Sequence, residues 1–154
     1  MASLSHQTGL SVLVFGLGKT GLSLCRYLSA NNHTVFAIDE KSKSEFSFDI
    51  SNVPVENFFF GNPCDHLLKL PKVLDLILIS PGIDKQHLFL KKIKECYPHI
   101  TIVGEIEFLH RLITIPWIAV TGTDGKSTVS DLLRYIFERS HYRVFLGGNF
   151  GTPL

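Results

Sequence analysis

The sequence predicts an α/β chain built on parallel strands, and three observations carry that reading. Short apolar, partly β-branched runs alternate with longer stretches whose apolar residues recur at helical spacing. This is the pattern of strands joined by crossover helices. Two glycine-rich turns, 16-GLGKTG-21 and 121-TGTDGKST-128, each follow a strand-like run and open a helix-like one. They lie too far apart for a single mononucleotide-binding unit. Two domains are therefore expected, 1–114 and 115–154, with the boundary near Thr114, where a helix-like stretch gives way to Pro116 and a new strand.

In chain order, strands are expected over 11–15, 34–38, 74–79, 100–103, 115–120 and 142–146, and helices over 19–30, 85–96, 104–113 and 127–140. The stretch 40–56 is rich in serine and charge without a clean period, which reads as loops with at most a short edge element. The second domain would then hold two strands and one helix, too little to cover both faces of a parallel sheet. Further chain or some other surface is expected to bury its apolar side.

The first turn fits G-x-G-x-x-G directly after a strand and opens a helix carrying Leu22, Cys25 and Leu28 on one face. In that geometry Gly16 makes the turn, Gly18 lets a pyrophosphate approach the backbone, and Gly21 lets the helix pack on the strand. Asp39 ends the second strand, where a carboxylate can reach a ribose or a base edge. The residues alone suggest NAD or FAD first, with a structural glycine turn as the bland alternative. The domain is Rossmann-like on either reading.

The second turn lacks the first glycine of the usual phosphate-loop pattern, Val120 standing in its place. The chemistry does not need it. Phosphates require a strand ending in a tight turn, inward backbone N–H groups, a lysine, a hydroxyl for Mg²⁺ and a helix N-terminus. Here these are 115-IPWIAV-120, Gly122 and Gly125, Lys126, Ser127 and the helix that follows. Two weaker signals follow later strands, 80-SPG-82 and 147-GGNFG-151. Each could line a ligand beyond a strand end, or be a plain turn.

Composition narrows the class. The chain is 45% hydrophobic and 19% charged with a formal net charge of +1, which suits a packed core and gives no field for nucleic acid. Three scattered cysteines, Cys25, Cys64 and Cys96, suggest neither a disulfide framework nor a zinc site. The start 1-MASLSHQTGL-10 has no signal-peptide pattern and no apolar run is long enough to span a membrane. A soluble cytoplasmic protein is expected. The seven histidines form no H-x-x-x-H pair and are read as surface or packing residues.

Taken together, 16-GLGKTG-21, 80-SPGI-83, 104-GEIEF-108, 119-AVTGTDGKST-128 and 147-GGNFG-151 resemble the Mur ligases of peptidoglycan synthesis, in family order along essentially the whole chain. The match is best to the branch that adds D-glutamate to UDP-N-acetylmuramoyl-L-alanine. The resemblance implies that the first domain holds the UDP of the substrate rather than NAD. Gly18, Lys19 and Thr20 would lie at the diphosphate, Asp39, Glu40 and Lys41 near the uracil, Ser80, Pro81 and Gly82 along the uridine pocket, and Asn149 at the diphosphate from the second domain.

It also implies that Gly122, Thr123, Asp124, Gly125, Lys126, Ser127 and Thr128 bind ATP, with Lys126 the catalytic charge and Ser127 serving Mg²⁺. ATP would phosphorylate the substrate carboxylate and the amine of D-glutamate would attack the acyl phosphate. Small-molecule substrates, no nucleic acid, no membrane and a monomer at full length are the implied partners. Asp124 departs from the family's usual asparagine and sets a carboxylate near a triphosphate, unfavourable unless it turns away or meets the metal. The family has three domains, so the later metal ligands, the modified lysine and the C-terminal domain are missing from these residues, and no activity is expected from them alone.

Rival readings are the alanine-adding Mur ligase, which usually carries histidine at the position of Asp124 and threonine at that of Ser127, and folylpolyglutamate synthase, which lacks the N-terminal UDP domain. A non-catalytic module sensing NAD or a UDP-sugar is the rival from another class.

Overall fold

A computed structural model describes residues 9–148. The chain divides into two compact units, Met1–Ile113 and Thr114–Leu154. In the first, five parallel strands form one sheet in the order β3-β2-β1-β4-β5. The strands are β1 (Ser11–Phe15), β2 (Thr34–Asp39), β3 (Asn57–Phe60), β4 (Leu76–Ile79) and β5 (Thr101–Gly104). The helices are α1 (Lys19–Ala30), α2 (Leu88–Cys96) and α3 (Glu105–Leu112), with a 3-10 turn at Pro63–Lys69.

Strand alternation sorts the core into two layers. Val12 and Val14, Val35 and Ala37, and Leu76 and Leu78 face one side and pack with Leu22, Cys25 and Leu28 of α1 and Phe108 of α3. Leu13 and Phe15, Phe36 and Ile38, and Ile77 and Ile79 face the other and pack with Phe89, Leu90 and Ile93 of α2. Burial of both faces explains why these strands read as continuous apolar runs. The chain leaves β3 and returns on the far side of β1, so β1 and β4 are neighbours at a topological switch point. Register sets Phe15 beside Ile79, and the two loops that follow open side by side.

The edge strand β3 lies just beyond the segment 40–56, which is irregular as expected. The helix expected from residue 85 begins at Leu88, because Asp84 Oδ1 first accepts the Gln86 N–H and His87 then caps α2.

In the second unit, α4 (Lys126–Arg139) is the one regular element among the described residues. The strands expected over 115–120 and 142–146 do not form. A strand satisfies its backbone only against a neighbour, and neither run enters a ladder, while Pro116 lacks an N–H to contribute. Ile118 and Phe145 are 61% and 70% exposed there. Helix α4 also keeps an apolar side uncovered, Leu132 and Ile136 being 56% and 48% exposed.

Candidate nucleotide sites

The first site is built where β1, β2 and β4 end. Phe15 passes into a turn at Gly16, whose φ of 91° suits glycine. Gly21, in the first turn of α1, sits so close that an added Cβ would lie 1.9 Å from the Gly16 carbonyl oxygen. The tight helix–strand contact expected of Gly21 is thus present. Gly18 is the N-cap of α1, with open space where a side chain would go. Lys19 and Thr20 begin the helix, and no side chain caps it and no acidic residue occupies its first turn. Its leading N–H groups and positive dipole end are left for an anion.

Asp39 closes β2 and turns its carboxylate back on the glycine turn. Oδ2 accepts the Leu17 N–H at 2.6 Å and Oδ1 accepts the Lys41 N–H at 3.0 Å. Glu40 reaches another way, its Oε1 lying 2.8 Å from His87 Nε2. The Lys41 side chain is exposed. Beyond β4, Ser80 Oγ donates to the Gly16 carbonyl at 2.6 Å, and Pro81 and Gly82 stand exposed at the rim. The first loop therefore brings Gly18, Lys19, Thr20, Asp39, Glu40, Ser80, Pro81 and Gly82 to one edge of the sheet. Asn149 lies outside the described residues.

The second site stands on its own unit. Gly125 is left-handed, with φ 75°, and ends the loop at the N-terminus of α4. That helix too has no side-chain cap and no acidic residue in its first turn. The capped helix α2 and α3, with Glu105 and Glu107 in its first turn, differ. Lys126 bends back so that Nζ donates to the carbonyls of Gly122 and Thr123, the latter at 3.0 Å. Thr123, Asp124, Ser127 and Thr128 are exposed. Among the described residues no three His, Cys, Asp or Glu side chains gather as a metal cage. A divalent ion at this loop would depend on the Ser127 hydroxyl together with phosphate oxygens and water, a donor set that suits Mg²⁺.

Local pattern predicted most of these positions, but it gave no sign of the His87 contact. His87 was expected as a surface or packing residue. Its Nδ1 accepts the Phe89 N–H at 3.1 Å, and its ring meets Phe15 edge-on at 5.2 Å.

A parallel sheet with a glycine turn, a carboxylate at the second strand end and a switch point between β1 and β4 defines a Rossmann-like domain. Residues 10–104 match the family model described as Mur ligase MurD-like, N-terminal domain. The chain belongs to that family. It is 34% identical over 148 residues to a UDP-N-acetylmuramoylalanine–D-glutamate ligase of Syntrophus aciditrophicus, covering 96% of this chain and 32% of the relative. Ligases of the same name from Legionella pneumophila strain Paris and Caldanaerobacter subterraneus are 37% and 36% identical, over 92% and 93% of this chain and 31% of each relative. The chain thus spans about a third of the length of the curated relatives it matches.

Proposed function

We propose that the chain is the substrate-binding portion of a D-glutamate-adding Mur ligase, with the first unit holding the UDP of UDP-N-acetylmuramoyl-L-alanine and the second beginning an ATP-binding domain. The observation that carries this is the convergence of the glycine turn and Ser80 at neighbouring strand ends, with an uncapped helix beneath for the diphosphate. The family match favours UDP over NAD, the similar ligases being named for a UDP-linked substrate, and Asp39, held by the Leu17 and Lys41 N–H groups, keeps lone pairs free for the nucleoside.

In the whole enzyme ATP would supply the phosphoryl group that activates the alanyl carboxylate, and the amine of D-glutamate would then displace it as phosphate to form the amide. The part of these residues is binding and charge. The α1 N-terminus, with Lys19 and Thr20, receives the diphosphate, and Ser80, Pro81 and Gly82 wall the uridine side. At the other loop, Lys126 leaves the Gly122 and Thr123 carbonyls for the phosphates, Ser127 serves Mg²⁺, and Gly122 to Thr128 wrap the chain around them. Charge neutralisation and positioning are the whole of that contribution, so the chain alone binds without ligating. The protein would act in the cytoplasm, where nucleotide precursors are held.

Isothermal titration with UDP-N-acetylmuramoyl-L-alanine, repeated with NAD and on Asp39→Ala, tests the reading. Saturable binding of the UDP ligand, weakened in the variant and without an NAD response, is expected. NAD binding in its place would move the chain to the dinucleotide modules.

A further inference from the structure

The three loops at the C-terminal edge of the first sheet are tied in a closed ring. Leu17 N–H to Asp39 joins the β1 and β2 ends, and Ser80 to the Gly16 carbonyl joins β4 to β1. His87 to Glu40 joins the β4 side to β2 and closes the ring across residues 47 apart in sequence. The first two bonds are part-buried and lie at the strand ends, whereas the third spans the exposed rim.

His87 is fixed from both sides. Its Nδ1 accepts from Phe89, so the proton resides on Nε2 and is donated to the Glu40 carboxylate. Its ring is braced on Phe15, the residue before the glycine turn. Capping α2 needs only one acceptor, which asparagine supplies as well. The reach of the second nitrogen to Glu40 is additional.

That contact does little for folding. The two side chains are 23% and 53% exposed, and a hydrogen bond at so solvated a rim largely replaces one to water and contributes little to stability. Its place says more. With a diphosphate at the α1 N-terminus, the nucleoside extends toward the end of β2, where Asp39 to Lys41 make the turn that Glu40 anchors.

We propose that His87 is a positioning residue for nucleoside recognition, holding Glu40 so that the 39–41 turn is set over the nucleoside end of the subsite before ligand arrives. The proposal rests on the UDP-binding reading above. A turn ordered in advance spares the ligand that ordering on binding.

The test uses His87→Asn, which keeps the cap acceptor but cannot reach Glu40, with Glu40→Ala and the double variant. Each is titrated with UDP and with inorganic pyrophosphate, and its melting temperature is recorded. His87→Asn and Glu40→Ala are each expected to weaken UDP binding by about three- to tenfold, the double variant no further than either. Pyrophosphate binding and melting temperature do not change in any of the three. Additive losses, equal losses for pyrophosphate, a fall in melting temperature or unchanged UDP binding would each overturn the proposal. A wild-type chain that binds no uridine nucleotide overturns the UDP reading and this proposal together, whereas wild-type binding with unaffected variants overturns this one alone.

Discussion

The Ser80 hydroxyl donates to the Gly16 carbonyl at 2.6 Å, stitching the end of β4 to the glycine turn that follows β1. Ser80→Ala leaves that carbonyl without its partner in a part-buried site, a change that costs about 1 to 2 kcal/mol. The expected result is a lower urea midpoint with an unchanged denaturant slope. A midpoint equal to wild type would mean that water replaces the hydroxyl without loss.

Two glycines of the same motif should fail in different ways. An alanine at Gly21 drives its Cβ to 1.9 Å from the Gly16 carbonyl oxygen, so backbone must move. Overpacking of this kind costs about 1 to 3 kcal/mol or more. At Gly18 nothing lies within 4 Å of the added methyl. Gly18→Ala is therefore expected to fold with nearly native stability and to lose UDP binding by at least about tenfold, the methyl entering the pyrophosphate's path. Thermal melts beside titrations separate the two, and a Gly18 variant that binds normally would place the diphosphate elsewhere.

At the second loop, Asp124 is exposed beside the lysine and glycines proposed to hold ATP. A carboxylate about 5 Å from one phosphate charge costs about 0.8 kcal/mol in water. Asp124→Asn is expected to tighten MgATP binding about three- to fivefold, the gain shrinking as salt is raised. Lys126→Ala is expected to abolish it. Weaker binding by the asparagine variant would show that the carboxylate serves the metal.

Cys25 gives a pH signature. Burial in the α1 layer pushes its thiol from an ordinary 9.0 up to about 12, only partly countered by Arg26. The folded state thus holds the proton more tightly than the unfolded chain. Its contribution is complete below about pH 9 and is lost as pH climbs from about 9 toward about 12, at about 1.4 kcal/mol per pH unit. Urea midpoints of wild type and Cys25→Ala, compared from neutral pH to about pH 10.5, should converge with rising pH. Parallel curves would show that the thiol ionises alike in both states.

Much of the first unit could be read from local pattern, for a physical reason. Strands buried on both faces are apolar throughout, and the glycine turn carries its constraint in its own residues, so β1, β2, β4 and the start of α1 stand out from sequence. Asn57–Phe60 is four residues at the sheet edge, too short to show a period, and β3 is recognised only from its pairing with β2. Runs 115–120 and 142–146 have strand composition, yet composition cannot supply a neighbour to bond with. The site shows the same division. Gly18, Asp39 and Ser80 are candidates that motif and strand position single out. That Asp39 engages the Leu17 N–H and His87 engages Glu40 depends on register between distant segments, which no local spacing encodes.

The bonds that close the ring around the first crevice join residues 64, 22 and 47 positions apart. Such contacts form only after the intervening chain has been gathered in, and their loop-closure entropy has been met. The glycine turn alone, early in a growing chain, therefore has no assembled subsite to offer. On the proposed function, nucleotide capture would mark completed folding. A ligand that recognises only the finished arrangement slows unfolding and leaves the folding rate unaltered, so its value to the protein is persistence rather than speed of assembly.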